Sequence, residues 1–149
     1  MEVTLSLIIF TMMTLMVGAV LPIAVRGAKH GGNYNQAAAL AQRKIDQLRV
    51  AGYSRLFDNG GGTALSKLSA QNVVDAQNSS GVFDFTTEDN LTGSSGYFPP
   101  GSAGTITVAD GYNGVPAGNV AQVTVTITWT GNVPGTYSAS AIIISMQHQ

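Results

Sequence analysis

Residues 3–25 read VTLSLIIFTMMTLMVGAVLPIAV, and these 23 residues include no charged side chain. About 20 apolar residues suffice for an α-helix to cross the hydrocarbon core of a bilayer. We call this stretch the apolar run. Glu2 stands directly before it. A carboxylate costs about 2.5–3.5 kcal/mol at the centre of a membrane helix and less near an end. Glu2 is therefore predicted either to lie at the membrane interface or to have a partner.

The apolar run has three interpretations. A cleavable signal opens with Lys or Arg and has a shorter apolar stretch, and both the acidic start and the length of this run disfavour it. A single-pass anchor fits the length. An anchor that also serves as an assembly element fits equally well, and the residues beyond position 25 bear on that choice.

Two residues inside the apolar run weaken a helix. Pro22 has no N–H, and its ring presses on the carbonyl of the residue four positions earlier, which is Gly18. Glycine tolerates local unwinding more easily than other residues. The sequence therefore predicts a kink or an unwound stretch around residues 18–22, with an ordinary membrane-helix kink at Pro22 as the simpler alternative.

The composition disfavours several functional classes. Only 10% of the residues are charged and the net charge is −1, whereas about 25% is usual. No basic footprint for nucleic acid or for an anionic membrane surface is evident. The chain has no cysteine, so it has no disulfide framework and no thiolate metal site. We expect no cofactor and no metal centre.

A second helical pattern follows the apolar run. Between Asn33 and Leu56, apolar or small residues recur at intervals of three and four, which predicts an amphipathic helix with one face to bury. Lys44 and the other charged residues of this segment are assigned to the remaining faces. The face predicted to pack consists of Ala38, Ala41, Ile45, Leu48 and Gly52.

The C-terminal third of the chain predicts a β-hairpin. Val125, Ile127 and Trp129 alternate with threonines, which is typical of a strand with an apolar inner face and a hydroxyl outer face. The turn at residues 131–135 leads to a second strand over residues 137–146. The inner face of the hairpin, with Val125, Ile127 and Trp129, is expected to pack on the helical face that contains Ala38, Ala41, Ile45 and Leu48.

Together these patterns predict an α+β fold. A long N-terminal α-helix, apolar in its first half and kinked or unwound near residues 18–22, packs on a small antiparallel sheet. The regions are a membrane or filament-core helix at 1–25, its amphipathic continuation at 26–57 and a β-rich head at 58–149. Shorter strands are predicted at 82–87 and 105–109, and a helical or irregular segment at 64–76.

Three stretches resemble type IV pilins and the pseudopilins of type II secretion. EVTLSLIIFTMMTLMVGAVLP at residues 2–22 looks like the processed pilin N-terminus. AAALAQRKIDQLRVAGY at 37–53 looks like the following helix of minor pilins and pseudopilins, and VTVTITWT at 123–130 resembles one strand of their C-terminal hairpin. The resemblance covers most of residues 2–56 and 120–146, and the segment 59–119 has no counterpart in it.

The resemblance implies a subunit of an extracellular helical filament with a pilin-like fold. Such subunits enter the inner membrane, are cleaved by a prepilin peptidase, and are extracted by the assembly machinery into a fibre whose core is the bundled N-terminal helices. Glu2 would then pair with the α-amine of a neighbouring copy and set the axial register, because an unpaired charge in an apolar core is very costly. In this chain that amine would be carried by Met1, although the family's glutamate lies further from the mature N-terminus.

Other functional classes stay open. The alternatives are a minor pilin or type II secretion pseudopilin, and a single-pass anchored binding domain that never polymerises. Adhesion, motility or DNA uptake would be downstream roles of a pilus. Asn78 and Asn90 begin possible N-glycosylation motifs. The acidic residues of the head follow no calcium-loop spacing, and no catalytic constellation is present, so we expect no enzyme.

Overall fold

The computed structural model describes residues 2–57, 63–92, 98–131 and 133–145. Its dominant element is the helix α1, Glu2–Ala51, which includes 50 residues. At 1.5 Å per residue this helix is about 75 Å long. The apolar run and the predicted amphipathic continuation therefore belong to one helix as far as Ala51, six residues before the predicted end at 57, because Gly52 has a φ of 78° and ends the helix.

Helix α1 does not unwind at the predicted weak points. Every residue from Glu2 to Ala51 is α-helical, and Pro22 lies inside the helix. A proline removes one main-chain hydrogen bond, here the one to the Gly18 carbonyl, while the turns on either side keep theirs. The unwound alternative is therefore wrong for the single subunit, and the kink stays a prediction.

The strands form a simple meander. After α1 come a 3-10 helix at Tyr53–Arg55 and the short helix α2 at Ala64–Ser69. Five strands follow in the order β1-β2-β3-β4-β5, each antiparallel to its neighbours. Their bounds are β1 Ala76–Ser79, β2 Val82–Asp84, β3 Ala103–Asp110, β4 Val120–Trp129 and β5 Gly135–Ile144. The predicted α+β class, a long helix packed on an antiparallel sheet, is confirmed.

The predicted hairpin corresponds to β4 and β5. Val125 pairs with Ala139 and Ile127 pairs with Tyr137, so the register keeps the apolar side chains on one face. The opposite face bears cross-strand hydroxyl pairs, with Oγ1 of Thr124 2.9 Å from Oγ of Ser140. Strand β2 ends at Asp84, three residues before the predicted end, because Asp84 Oδ1 accepts a hydrogen bond from the Thr86 amide and begins a turn.

The core lies between the second half of α1 and the inner face of the sheet. The buried α1 residues are Ala37, Leu40, Ala41, Lys44, Ile45, Leu48 and Ala51, and Ala38 is half-buried. Val125, Ile127 and Trp129 of β4 are fully buried on the sheet side. The sequence assigned Lys44 to a face other than the buried one, and the structure corrects this, because the side chain is 0% exposed.

Candidate functional site

The apolar run is a long exposed apolar surface within the described residues. Its large apolar side chains are between 52% and 79% exposed, from Val25 at one extreme to Val3 at the other. The helix is long and apolar enough to cross a membrane, with a mean hydropathy of 2.4 over its most apolar 18 residues, none of them buried. Membrane anchors and signal sequences both have an apolar N-terminal helix of this kind.

Two hydroxyl groups within the apolar run, those of Thr11 and Thr14, form hydrogen bonds inside the helix. Thr11 Oγ1 donates to the Leu7 carbonyl at 2.6 Å, and Thr14 Oγ1 donates to the Phe10 carbonyl at 2.8 Å. Hydroxyls bonded in this way need no water, so these threonines can enter an apolar environment at little cost. The surface suits either lipid or another apolar helix.

Glu2 and Met1 are the residues proposed to set the register. Glu2 is the first residue of the helix, and Met1 lies outside the described residues. A helix N-terminus favours a negative group, which is compatible with a carboxylate at Glu2. The pairing of Glu2 with a neighbour's α-amine concerns two copies of the chain and stays a prediction.

An aromatic cluster joins α1 to the end of the sheet nearest the apolar run. Tyr34 lies edge-on to His30, with ring centroids 4.8 Å apart, and edge-on to Trp129, with centroids 5.0 Å apart. Phe98 stacks on Trp129 with ring centroids 5.8 Å apart, and Trp129 Nε1 donates to the Val133 carbonyl at 3.1 Å. These contacts hold Tyr34 of α1 against the C-terminal end of β4.

A buried ion pair joins the C-terminal part of α1 to the loop after β2. Lys44 Nζ lies 2.8 Å from Asp89 Oδ2, donates to the Val73 carbonyl at 2.7 Å and stands 5.0 Å from the Phe85 ring centroid. Arg43, from the solvent side, also contacts the Asp89 carboxylate. Sequence reasoning missed this cluster, because Asp89 is 45 positions from Lys44 and no local pattern links them.

A second polar contact closes the far end of the head. Tyr53 Oη donates to Asp110 Oδ1 at 2.7 Å, and the Gly118 amide donates to the same oxygen at 2.9 Å. These two bonds, led by the one from Gly118, lower the pKa of the Asp110 carboxyl. The pKa of Tyr53 is raised, mainly by burial and then by its bond to Asp110.

Three acidic residues of the head have structural contacts. Asp84 caps a turn, Asp89 pairs with Lys44, and Asp110 binds Tyr53. Over the described residues, no three His, Asp or Glu side chains are grouped so that they could hold a metal ion. Asn78 lies exposed on β1 and Asn90 exposed in a turn with a φ of 49°, so both predicted glycosylation positions are on the surface.

Comparison of the chain with protein-family models, with curated proteins and with solved structures finds no match.

Proposed function

We propose that the chain is a structural subunit of an extracellular type IV pilus-like filament. The proposal is supported by one observation. The apolar half of α1 is exposed, and it is continuous with the half that packs on the sheet. A helix that is apolar all round must be buried in lipid or in protein. The head has its own core, so the apolar half is available for a separate environment.

The proposed sequence of events begins at the inner membrane. The apolar run holds the subunit in the bilayer, a prepilin peptidase processes it, and the assembly machinery transfers it to a fibre on the cell surface. In the fibre the apolar runs of many copies replace lipid with one another. Bilayer lipid and neighbouring helices are both apolar, so the transfer between them costs little hydrophobic free energy.

The experiment that tests this function examines sheared surface material by electron microscopy and mass spectrometry. A pilus subunit gives fibres in which this chain is present along the whole length. Glu2→Gln removes the charge and keeps the shape, and we expect it to reduce fibre yield at least tenfold. Glu88→Gln, in an exposed loop of the head, is the matched control and should leave the yield unchanged.

Two other outcomes identify the alternatives. A minor pilin or pseudopilin would label only the tip of long fibres or occur in short periplasmic ones. The resemblance of residues 37–53 to the minor proteins favours this second candidate. Membrane-bound chain without fibres, in cells that express it abundantly, would contradict assembly and indicate an anchored binding domain.

A further inference from the structure

The C-terminal strand β5 forms one edge of the sheet, and β1 forms the other. The edge at β1 has only four residues, and its register shifts between Gln77 and Ser79. Both features obstruct the addition of a further strand. Strand β5 has neither feature, because its ten residues pair with β4 without a register shift and include no proline and no charged side chain. We call its open side the β5 edge.

The main-chain hydrogen bonds of β5 indicate which of its residues face the open side. Directly opposite residues of an antiparallel pair alternate between those that exchange hydrogen bonds and those that do not. The Ser145 amide donates to the Asn119 carbonyl at 2.8 Å, and this pair continues the register that places Ile144 opposite Val120. The odd-numbered residues of β5 therefore bond to β4. The residues whose N–H and C=O groups point to the open side are Thr136, Ser138, Ser140, Ile142 and Ile144.

Strand β4 supports this assignment independently. The Gly111 amide donates to the Val120 carbonyl at 2.7 Å, so the even-numbered residues of β4 bond to β3 and its odd-numbered residues bond to β5. All five even-numbered residues of β5 are exposed. Within the described part of the chain, no hydrogen bond from outside the sheet reaches their main-chain groups. A row of donors and acceptors of this kind is a template for another strand.

The side chains of β5 are also incompletely covered. On the inner face Ile143 is buried, whereas Tyr137 and Ala139 are only half-buried although they pack against the same core. On the outer face Ile142 is 45% exposed and Ile144 is 65% exposed. A strand added at the β5 edge would therefore cover apolar atoms on both faces of the sheet.

We propose that the β5 edge pairs with the β5 edge of a second copy of the chain, antiparallel to it, around a two-fold axis at Ser140. In this register the five outward residues of one copy oppose the five of the other, so about ten hydrogen bonds form. A shift by two residues leaves four or fewer opposed residues, and a shift by one would place an inner face beside an outer face. The β5 edge is uncharged, so two copies meet without like-charge repulsion.

The two-fold axis reverses the direction of α1. Asn33 and Val133 line a cavity beside the start of β5, and Gly52 and Ile144 line another at its end, so α1 runs alongside β5 in the same direction. The apolar runs of the two copies therefore point in opposite directions. The pairing joins chains held in different membranes or different fibres, and it closes at two copies because both present the same surface. It goes beyond the proposed function and does not depend on it.

Cysteine cross-linking of the full chain in detergent tests the pairing, because the chain has no native cysteine. Ser140→Cys brings two thiols together across the axis, where opposite Cα atoms are about 5.5 Å apart, a separation that a disulfide spans. We expect covalent dimers on mild oxidation. A mixture of Thr136→Cys and Ile144→Cys chains should also cross-link, since these two positions oppose each other. Trp129 fluorescence verifies that each variant keeps its folded head.

The matched control is Thr136→Cys alone, which is exposed on the same strand. In the proposed register the two copies of this cysteine are eight residues apart, or about 27 Å along the strand. Dimers of Thr136→Cys as abundant as those of Ser140→Cys would overturn the proposal, because they would indicate random collision or a parallel pairing. Absence of Ser140→Cys dimers would also overturn it. Absence of fibres from the unmodified chain would instead contradict the proposed function and leave the pairing unaffected.

A charge substitution gives a second measurement. Ser140→Lys places two ammonium groups opposite each other across the axis, and we expect the dissociation constant of the dimer, measured by sedimentation in detergent, to rise roughly tenfold or more. Thr128→Lys, exposed on the same face of the neighbouring strand, is the control and should leave it unchanged. An equal mixture of Ser140→Lys and Ser140→Asp chains should restore the dimer. An unchanged dissociation constant for Ser140→Lys would overturn the β5 edge as the contact.

Discussion

Lys44 is a fully buried lysine beside the apolar core, and its partners define its role. The side chain of Asp89 is only 8% exposed, whereas that of Arg43 is 48% exposed. Removing one member of a buried pair leaves the other charge poorly compensated. Removing the half-exposed Arg43 lowers the free energy of unfolding much less, because water solvates the groups that are left.

We predict that Lys44→Met lowers the free energy of unfolding by about 3 kcal/mol, whereas Arg43→Gln lowers it by about 1 kcal/mol or less. Urea titration in detergent measures both, since Trp129 is the sole tryptophan and is fully buried. The double variant Lys44→Met, Asp89→Leu should be more stable than Lys44→Met alone. Equal effects of the two single variants would show that burial of Lys44 has no energetic role.

The Tyr53–Asp110 contact predicts that the stability of the head depends on pH, with an acidic limb and an alkaline limb. The pKa of Asp110 is lower in the folded chain than its ordinary 3.8, so this group stabilises the head above that pH. Its contribution is lost as the pH falls through the folded pKa. Asp110→Asn should therefore remove stability at neutral pH and show a smaller deficit below about pH 4.

Ionisation of Tyr53 accounts for the alkaline limb of the pH dependence. Burial and the bond to Asp110 raise its pKa above 10.0, so its contribution is complete below pH 10.0 and is lost as the pH rises through the folded value. Tyr53→Phe should lack this loss. Urea titrations between pH 3 and pH 11 measure both limbs, and parallel profiles for wild type and both variants would contradict the assignment.

At the scale of elements, Gly104 illustrates how closely β3 and the loop after β2 approach. A Cβ at this position would lie 2.5 Å from Phe85 ring atoms and 2.8 Å from Leu91 Cδ1. We predict that Gly104→Ala destabilises the head by about 1–3 kcal/mol, the usual cost of overpacking. Gly32→Ala, in α1 with no atom within 4 Å, is the control and should not destabilise it.

The elements that the sequence predicts well are those with a long periodic pattern. The alternation of residues 123–130 predicts β4, and the three-and-four spacing after Asn33 predicts the helix that includes Ile45 and Leu48. Strand β1 has the sequence AQNS, which has no strand signal of its own. It is extended because it pairs with β2, and such pairing depends on the assembled sheet.

The position of Lys44 could not be predicted for a related reason. Periodicity places it beside Ile45 and Leu48, close to the buried face, but a lysine is almost never fully buried without a partner. Its partners, Asp89 and the Val73 carbonyl, come from loops that only the tertiary structure brings to α1. Pro22 is the opposite case. A local rule predicted a break in the helix at this residue, but α1 continues through it.

At the scale of the whole molecule, two parts of α1 meet different environments. Residues from Ala37 onward contribute to the core of the head, while no residue of the apolar run is among the buried core residues. Changes in the apolar run should therefore alter where the chain is located without altering the stability of the head. This separation is expected because sites far apart with no shared contacts act independently.

We predict that Phe10→Arg combined with Leu15→Arg releases most of the chain from membranes, because two arginines near the helix centre oppose insertion by roughly 5–7 kcal/mol. Carbonate extraction of membranes measures the bound fraction. The urea midpoint of Trp129 fluorescence should stay unchanged. Ser138→Arg with Ser140→Arg adds the same charge to the exposed sheet face and should leave the bound fraction as in wild type. A double variant in the apolar run that stays fully membrane-bound would mean that the head, and not this helix, holds the chain at the membrane.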